Sequence, residues 1–131
     1  MIYRNTAQRN RILEVLQATD THPTAAWVYD EVRKHLPSIS LGTVYRNLNV
    51  LVSQGAIQKI SCGDAEDRFD AMTAPHIHYY CQNCGRVSDI ENKAAFKKLS
   101  KLVDEIDENI ETYSLICYGF CERCDVQSKC N

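Results

Sequence analysis

The sequence predicts an α+β chain: an N-terminal domain of three helices and a hairpin over residues 1–70, a hinge at 71–75, and a C-terminal α/β domain over 76–131. Three observations predict it. Apolar residues recur at helical spacing in three capped segments before Gly55. Short alternating runs begin directly after that glycine and return after residue 75. Six of the seven cysteines lie from Cys81 onward, so the second domain carries a chemistry the first lacks.

Each element follows from its own residues. Thr6 is placed to cap a first helix with Ile12, Leu13, Val15 and Leu16 inside it, and Asp20-Thr21-His22-Pro23 breaks that helix. Thr24 caps a second helix over Ala25–Leu36, with Val28, Val32 and Leu36 four apart, and Pro37 ends it. Ser38 or Ser40 opens a third, with Val44, Leu48, Leu51 and Val52 on one face, and Gly55 stops it. Ala56 to Ser61 alternates like a strand. A turn at Cys62-Gly63-Asp64-Ala65 leads to a second strand, Asp67 to Asp70. Three helices followed by a hairpin form a winged helix-turn-helix.

The third helix is unusual on its outer side. Thr43, Tyr45, Arg46, Asn47 and Asn49 are all capable of hydrogen bonding, and Arg46 is the only full charge among them. Solvated helix faces more often carry Glu and Lys. Arg and Asn are the side chains that pair bidentately with guanine and adenine edges in the major groove. Thr43, Tyr45, Arg46 and Asn47 are therefore the expected DNA contacts, with Arg9, Arg11 and Lys59 as candidates for phosphates. The alternative is a small helical domain that binds protein.

Charge agrees with the division. The net charge is −2, but residues 1–60 hold seven Lys/Arg against four Asp/Glu, and the remainder hold eight against thirteen. A basic first half suits phosphates and an acidic second half suits something else. No apolar run is long enough to span a membrane and no secretory leader precedes Arg4 and Arg9, so a cytoplasmic protein is expected. There disulfides are rare, and the cysteines point to metal.

Cys81-Gln82-Asn83-Cys84 and Cys121-Glu122-Arg123-Cys124 are two CxxC pairs, 36 residues apart. Their four thiolates suit a tetrahedral structural zinc that ties distant strands together. The rival, a thiol redox switch, usually needs one such pair at a helix start. Cys117 alternates within the strand-like run Tyr113–Phe120 and reads as a core residue. Cys62 and Cys130 carry no clear role.

A second constellation offers nitrogen and oxygen. His76-Ile77-His78 alternates on a strand, so both imidazoles face one side. Asp89 falls on the next strand-like run, Arg86–Glu91; Asp70 ends the hairpin; His35 lies near the end of the second helix. Each has a plainer reading: His35 against the helix dipole, Asp70 as a turn cap, Asp89 as a solvated edge residue. Together, three imidazoles and two carboxylates suit iron(II), manganese(II) or zinc. Between Asp89 and the last strand, Phe96, Leu99, Val103, Ile106 and Ile110 mark one face of an amphipathic helix. The apolar strands of this domain suit pairing with a second copy, and a homodimer places two reading helices on a palindromic operator.

Three stretches carry a family resemblance: Leu41-Gly42-Thr43-Val44-Tyr45-Arg46-Asn47-Leu48, His76-Ile77-His78-Tyr79-Tyr80-Cys81-Gln82-Asn83-Cys84-Gly85, and Tyr118-Gly119-Phe120-Cys121-Glu122-Arg123-Cys124. In type, order and spacing they resemble the Fur superfamily of ferric-uptake-type regulators, from about Thr6 to Cys124. The resemblance implies a winged-helix domain, a hinge and an α/β dimerisation domain. It implies structural zinc on Cys81, Cys84, Cys121 and Cys124, and a regulatory metal, iron(II) or manganese(II), between the domains on His35, Asp70, His76, His78 and Asp89. It implies a metal-dependent repressor, since an ion that binds only the DNA-fitting form shifts the population toward it.

Within the superfamily, Asp at both acidic positions, Pro75 and Ile77 beside the histidines, and no extra cysteine ligand resemble the peroxide-sensing branch. That branch implies iron-catalysed oxidation of a ligand histidine, with His35 and His76 the expected targets. The alternative is an iron- or manganese-responsive uptake regulator, and Arg46 resembles the iron-uptake class. An enzyme is not expected. A zinc hydrolase or deaminase would need a glutamate base beside His76 and His78, and a purely structural zinc protein would not need His76 or Asp89.

Overall fold

The computed structural model describes residues 6–63 and 65–122. Cys124 and Cys130 lie outside them. The chain divides into two compact units, with the boundary between Thr73 and Ala74.

The first unit is three helices and a hairpin. α1 (Ala7–Gln17) is capped by Thr6, whose hydroxyl accepts the Arg9 N–H at 3.0 Å. α2 (Ala25–Val32) is capped by Thr24 and α3 (Leu41–Ser53) by Ser40, each accepting the N–H three residues on. All three helices thus begin at caps visible in the sequence. α2 is shorter than the Ala25–Leu36 expected. Beyond Val32 the chain tightens into turns, with the His35 and Leu36 N–H groups both reaching the Val32 carbonyl at 3.0 Å. Pro37 disfavours the helical conformation at Leu36, so the frayed end is left without a continuing turn. Gly55, at φ 75°, closes α3.

The hairpin is β1 (Gln58–Ile60) and β2 (Arg68–Asp70), antiparallel, with Gln58 opposite Asp70 and Ile60 opposite Arg68. One core holds the unit together: Ile12 and Leu16 of α1, Val28 and Val32 of α2, Val44, Leu48 and Leu51 of α3, then Ile57 and Phe69. Burying a side chain of this kind contributes about 1.5–3 kcal/mol.

The second unit is a three-stranded sheet and one helix. β3 (Ile77–Cys81) lies between β4 (Val87–Ile90) and β5 (Leu115–Gly119), antiparallel to the first and parallel to the second. α4 (Lys93–Asp104), capped by Asn92, forms the crossover that a parallel pair requires. The expected helix face ran on to Ile110. The helix ends instead at Asp104, because Asp104, Glu105, Asp107 and Glu108 crowd acid at the terminus where the dipole disfavours it. Buried Ile77, Cys81 and Val87 centre the sheet, whereas no α4 side chain is buried. Cys117, expected in the core, is half-buried. Among the described residues, no helix is long and apolar enough to cross a membrane.

Candidate metal centres

In the first unit, an imidazole and a carboxylate meet where the hairpin runs beside the loop from α1 to α2. His22 has φ 53°, a left-handed conformation uncommon for a side-chain-bearing residue. Two contacts from β2 hold it there: Arg68 Nη1 donates to the His22 carbonyl at 3.1 Å, and the Phe69 N–H to the Pro23 carbonyl at 2.9 Å. The His22 ring is thereby buried, with Nε2 3.3 Å from Asp70 Oδ2. Asp70 is fixed in turn, its Oδ1 accepting the Met72 N–H at 2.9 Å. The structure therefore sets His22 beside Asp70. His35, the histidine singled out from the sequence, is exposed in the turns after α2. In the sequence His22 reads only as part of a helix break. The missed signal was a histidine before a proline and a helix cap, in a loop short enough to lie along the hairpin.

In the second unit, three donors converge. His78 on β3 stands opposite Asp89 on β4, and His76 sits immediately before β3 on the same side. Asp89 Oδ1 is 3.1 Å from His76 Nε2 and 3.7 Å from His78 Nε2, and the two rings lie 4.2 Å apart. His76 Nδ1 is 2.7 Å from the Ala74 carbonyl. A carbonyl only accepts, so Nδ1 carries a proton, and Nε2 is the ring nitrogen left to share a cation with Asp89. This is how ligand histidines are commonly oriented. His78 is 1% exposed, so its ring is held by packing. A hard carboxylate with two borderline imidazoles fits iron(II), manganese(II) or zinc.

The third group is sulfur. Cys81 ends β3, Cys84 lies in the turn to β4, and Cys121 follows β5. Their sulfurs lie within 4.8 Å of one another. The parallel pairing explains why cysteines so distant in sequence meet: Cys81 is level with Gly119, two residues before Cys121. Gln82 N–H donates to the Gly119 carbonyl at 2.7 Å, and Cys121 N–H points at Cys81 Sγ at 3.4 Å. Burial pushes the Cys81 thiol up. The N–H groups of Cys121, Cys84 and Asn83, with the Cys84 side chain, outweigh it and bring the thiol down to about 7. Cys81 thus offers sulfur that is readily a thiolate at neutral pH, which suits zinc, whereas Cys121 is disulfide-bonded in this structure and would have to be reduced to join it. The fourth expected ligand, Cys124, lies outside the described residues.

Residues 1–118 match the sequence profile of the ferric uptake regulator family. The chain belongs to that family. Among similar family members, a peroxide-responsive repressor of Staphylococcus saprophyticus is 34% identical over 92% of this chain and 82% of its own length. A peroxide operon regulator of Bacillus subtilis is also 34% identical, over 92% and 83%. Among solved structures, a peroxide stress regulator of Campylobacter jejuni is 33% identical, with a TM-score of 0.76 over 89% of this chain and 88% of that one.

For a member of this regulator family, the outer face of α3 is of direct interest, and the structure sorts its residues. Tyr45 is 47% exposed, Arg46 is exposed and Thr43 is half-buried. Asn47 is not on that face: it is 6% exposed, and its Nδ2 donates to the Thr43 carbonyl at 3.0 Å. The reason is spacing, since Val44, Asn47, Leu48 and Leu51 form one buried stripe at three- and four-residue intervals. Asn49 is the exposed amide. Of the basic residues expected on phosphates, Arg11 faces Glu14 at 3.2 Å, whereas Arg9 is largely buried between α1 and α3.

Proposed function

We propose that this family member is a metal-dependent, DNA-binding transcriptional repressor that senses hydrogen peroxide. The observation that carries the reading is the convergence of His76 Nε2, His78 Nε2 and Asp89 Oδ1, with His76 oriented by the Ala74 carbonyl. The peroxide-responsive relatives, and aspartate at both acidic positions, favour this branch over iron or manganese uptake.

The regulatory ion, iron(II) or manganese(II), would take His76, His78 and Asp89 from the second unit and His22 and Asp70 from the first. Neither group alone offers enough donors for such ions, and together they supply five. An ion that needs both units fixes the angle between them, so metal selects the form that fits DNA. Iron(II), held there, would supply the redox chemistry that activates peroxide; one peroxide oxygen would pass to a ligand imidazole, His22 or His76, which is oxidised by two electrons, and the other would leave as water. An oxidised imidazole loses its donor character, and the repressor then releases its operator. The chain consumes its own ligand, so it is a sensor and not an enzyme.

Zinc on Cys81, Cys84, Cys121 and Cys124 would staple β3 to β5. In this reading the first unit is a winged-helix DNA-binding domain, with Thr43, Tyr45 and Arg46 toward base edges. The second is a dimerisation domain. Among the described residues β5 pairs only with β3, and Tyr118, Phe120 and Leu102 are exposed. A second copy would cover such an edge, giving a cytoplasmic homodimer on a palindromic operator.

The test is mass spectrometry of the iron(II)-loaded protein before and after a brief, low dose of peroxide. The expected result is one added oxygen on the peptide carrying His22 or His76, with loss of operator binding. Unmodified histidines with intact metal-stimulated binding would overturn peroxide sensing in favour of an iron- or manganese-responsive uptake regulator. In Asp89→Ala, metal-stimulated binding is expected to vanish while zinc stays in place.

A further inference from the structure

The hairpin that carries Asp70 sets a glutamine directly across from it: Gln58 on β1 is the Cα partner of Asp70 on β2. Cross-strand partners point to one face of a sheet, and Arg68, two residues before Asp70, shares that face. It is the face that meets the His22 loop, through Arg68 on the His22 carbonyl and Asp70 beside the His22 ring. Gln58 reaches past its partner. Its Nε2 donates to the Met72 carbonyl at 2.7 Å, 14 residues along the chain. Met72 is thereby held at both ends of its backbone, because its N–H donates to Asp70 Oδ1 at 2.9 Å. Between the two, Ala71 packs half-buried against the core of the first unit. An aspartate that bonds the backbone two residues on keeps its orientation only while that backbone stays in place. Gln58 holds it from the opposite strand, and Asp70 Oδ2 stays toward His22 Nε2 at 3.3 Å. Both bonds to Met72 are exposed to solvent, and water competes with such bonds, so their effect is on orientation more than on stability. A β-branched residue suits a strand better than glutamine does, but its side chain is too short to reach Met72.

We propose that Gln58 is a positioning residue for the regulatory ion. By holding the Met72 carbonyl it keeps the Met72 N–H on one oxygen of Asp70, which leaves the other oxygen aimed at His22 and the cation they would share. The proposal rests on the reading of Asp70 as a ligand and deepens it. Gln58 touches no ligand atom itself in this scheme, and it acts through Met72 alone. Carboxylates that hold metals are commonly fixed by hydrogen bonds of this kind, and losing the partner costs about 10- to 100-fold in metal affinity.

The test uses the full chain loaded with zinc and measures manganese binding by titration calorimetry. Gln58→Leu has a side chain of similar size and suits a strand, but it cannot donate. Its manganese affinity is expected to fall about 10-fold. Gln58→Glu has nearly the shape of the wild type and presents only acceptors to the Met72 carbonyl. The same loss is expected, although the added negative charge by itself would draw a cation closer. Asp70→Asn keeps an oxygen for the Met72 N–H and removes the anionic ligand, so it is expected to weaken binding alone. In that background Gln58→Leu should change the affinity by a factor of about one, because no carboxylate is left to aim. A purely structural glutamine would lower the urea midpoint and leave the manganese affinity of the folded protein where it was, which would overturn the proposal. A Gln58→Leu penalty of equal size with and without Asp70→Asn would overturn it too, as would a Gln58→Glu variant that binds manganese more tightly than the wild type. Wild-type affinity in Gln58→Leu, with a clear loss in Asp70→Asn, would end the positioning role and leave Asp70 a ligand. Wild-type affinity in Asp70→Asn would remove Asp70 from the ligand set, and the role of Gln58 with it.

Discussion

His22 is held with φ 53°, a conformation that costs a residue with a Cβ on the order of 1–2 kcal/mol. Such a position persists when its surroundings over-determine it, and here Arg68 and the Phe69 N–H do so. The consequence is a division of labour testable by manganese titration calorimetry. His22→Ala removes the imidazole proposed as a ligand and is expected to weaken manganese binding by about 100-fold or more. Arg68→Ala only loosens the loop that aims the ring, and about 10-fold is expected, as for other residues that orient a ligand. His35→Ala, in an exposed turn, should leave the affinity unchanged. An equal loss in His35→Ala and His22→Ala would mean that the first-unit ligand has been misassigned. The same residues show what the sequence conceals. His76, His78 and Asp89 were legible because strand alternation and cross-strand register are local rules. The meeting of His22 with Asp70 was not, because it depends on a hairpin some 46 positions away folding back on its loop. Asn47 was misplaced for a related reason: a polar side chain reads as outward until its position in the buried stripe is counted.

At the scale of elements, the parallel pairing of β3 with β5 turns two distant cysteine pairs into neighbours. Alternation in the sequence indicated the strands. It could not give their order, because which edge of β3 receives β5 depends on the crossover through α4 and not on either strand alone. The pairing carries its own constraint at Gly119. A Cβ there would run into the Tyr79 hydroxyl, with the Tyr79 Cζ only 3.1 Å away. The Tyr79 hydroxyl in turn donates to the Phe120 carbonyl at 3.1 Å, next to Cys121. Glycine thus lets a tyrosine lie across the strand and hold the end that carries a sulfur ligand. Gly119→Ala is expected to destabilise the zinc-loaded protein by about 1–3 kcal/mol, the usual cost of overpacking. In a Tyr79→Phe background the hydroxyl clash is gone while the ring contact stays, so the added penalty should shrink without vanishing. Urea denaturation of the four proteins checks this, and equal penalties in both backgrounds would break the link between the two residues.

At the scale of the whole molecule, the chain is weakly acidic overall yet basic over its first 60 residues, and the donors proposed for the regulatory ion fall in both units. In the repressor reading, that arrangement makes metal and DNA partners in one equilibrium. Whatever factor manganese adds to duplex affinity, the duplex must add to manganese affinity, because the two cycles share the same four states. A coupling of about 5- to 150-fold is typical of such systems. The expected outcome is that the two factors, one from anisotropy with and without manganese and one from manganese titration with and without duplex, agree within error. In Asp89→Ala both should fall to about one together, while zinc content stays constant, because the sulfur group takes no part in the linkage. Unequal factors in the wild type would mean that manganese acts at some place other than the ligand set proposed here. A coupling that survives Asp89→Ala but disappears when zinc is stripped would transfer the regulatory role to Cys81, Cys84 and Cys121.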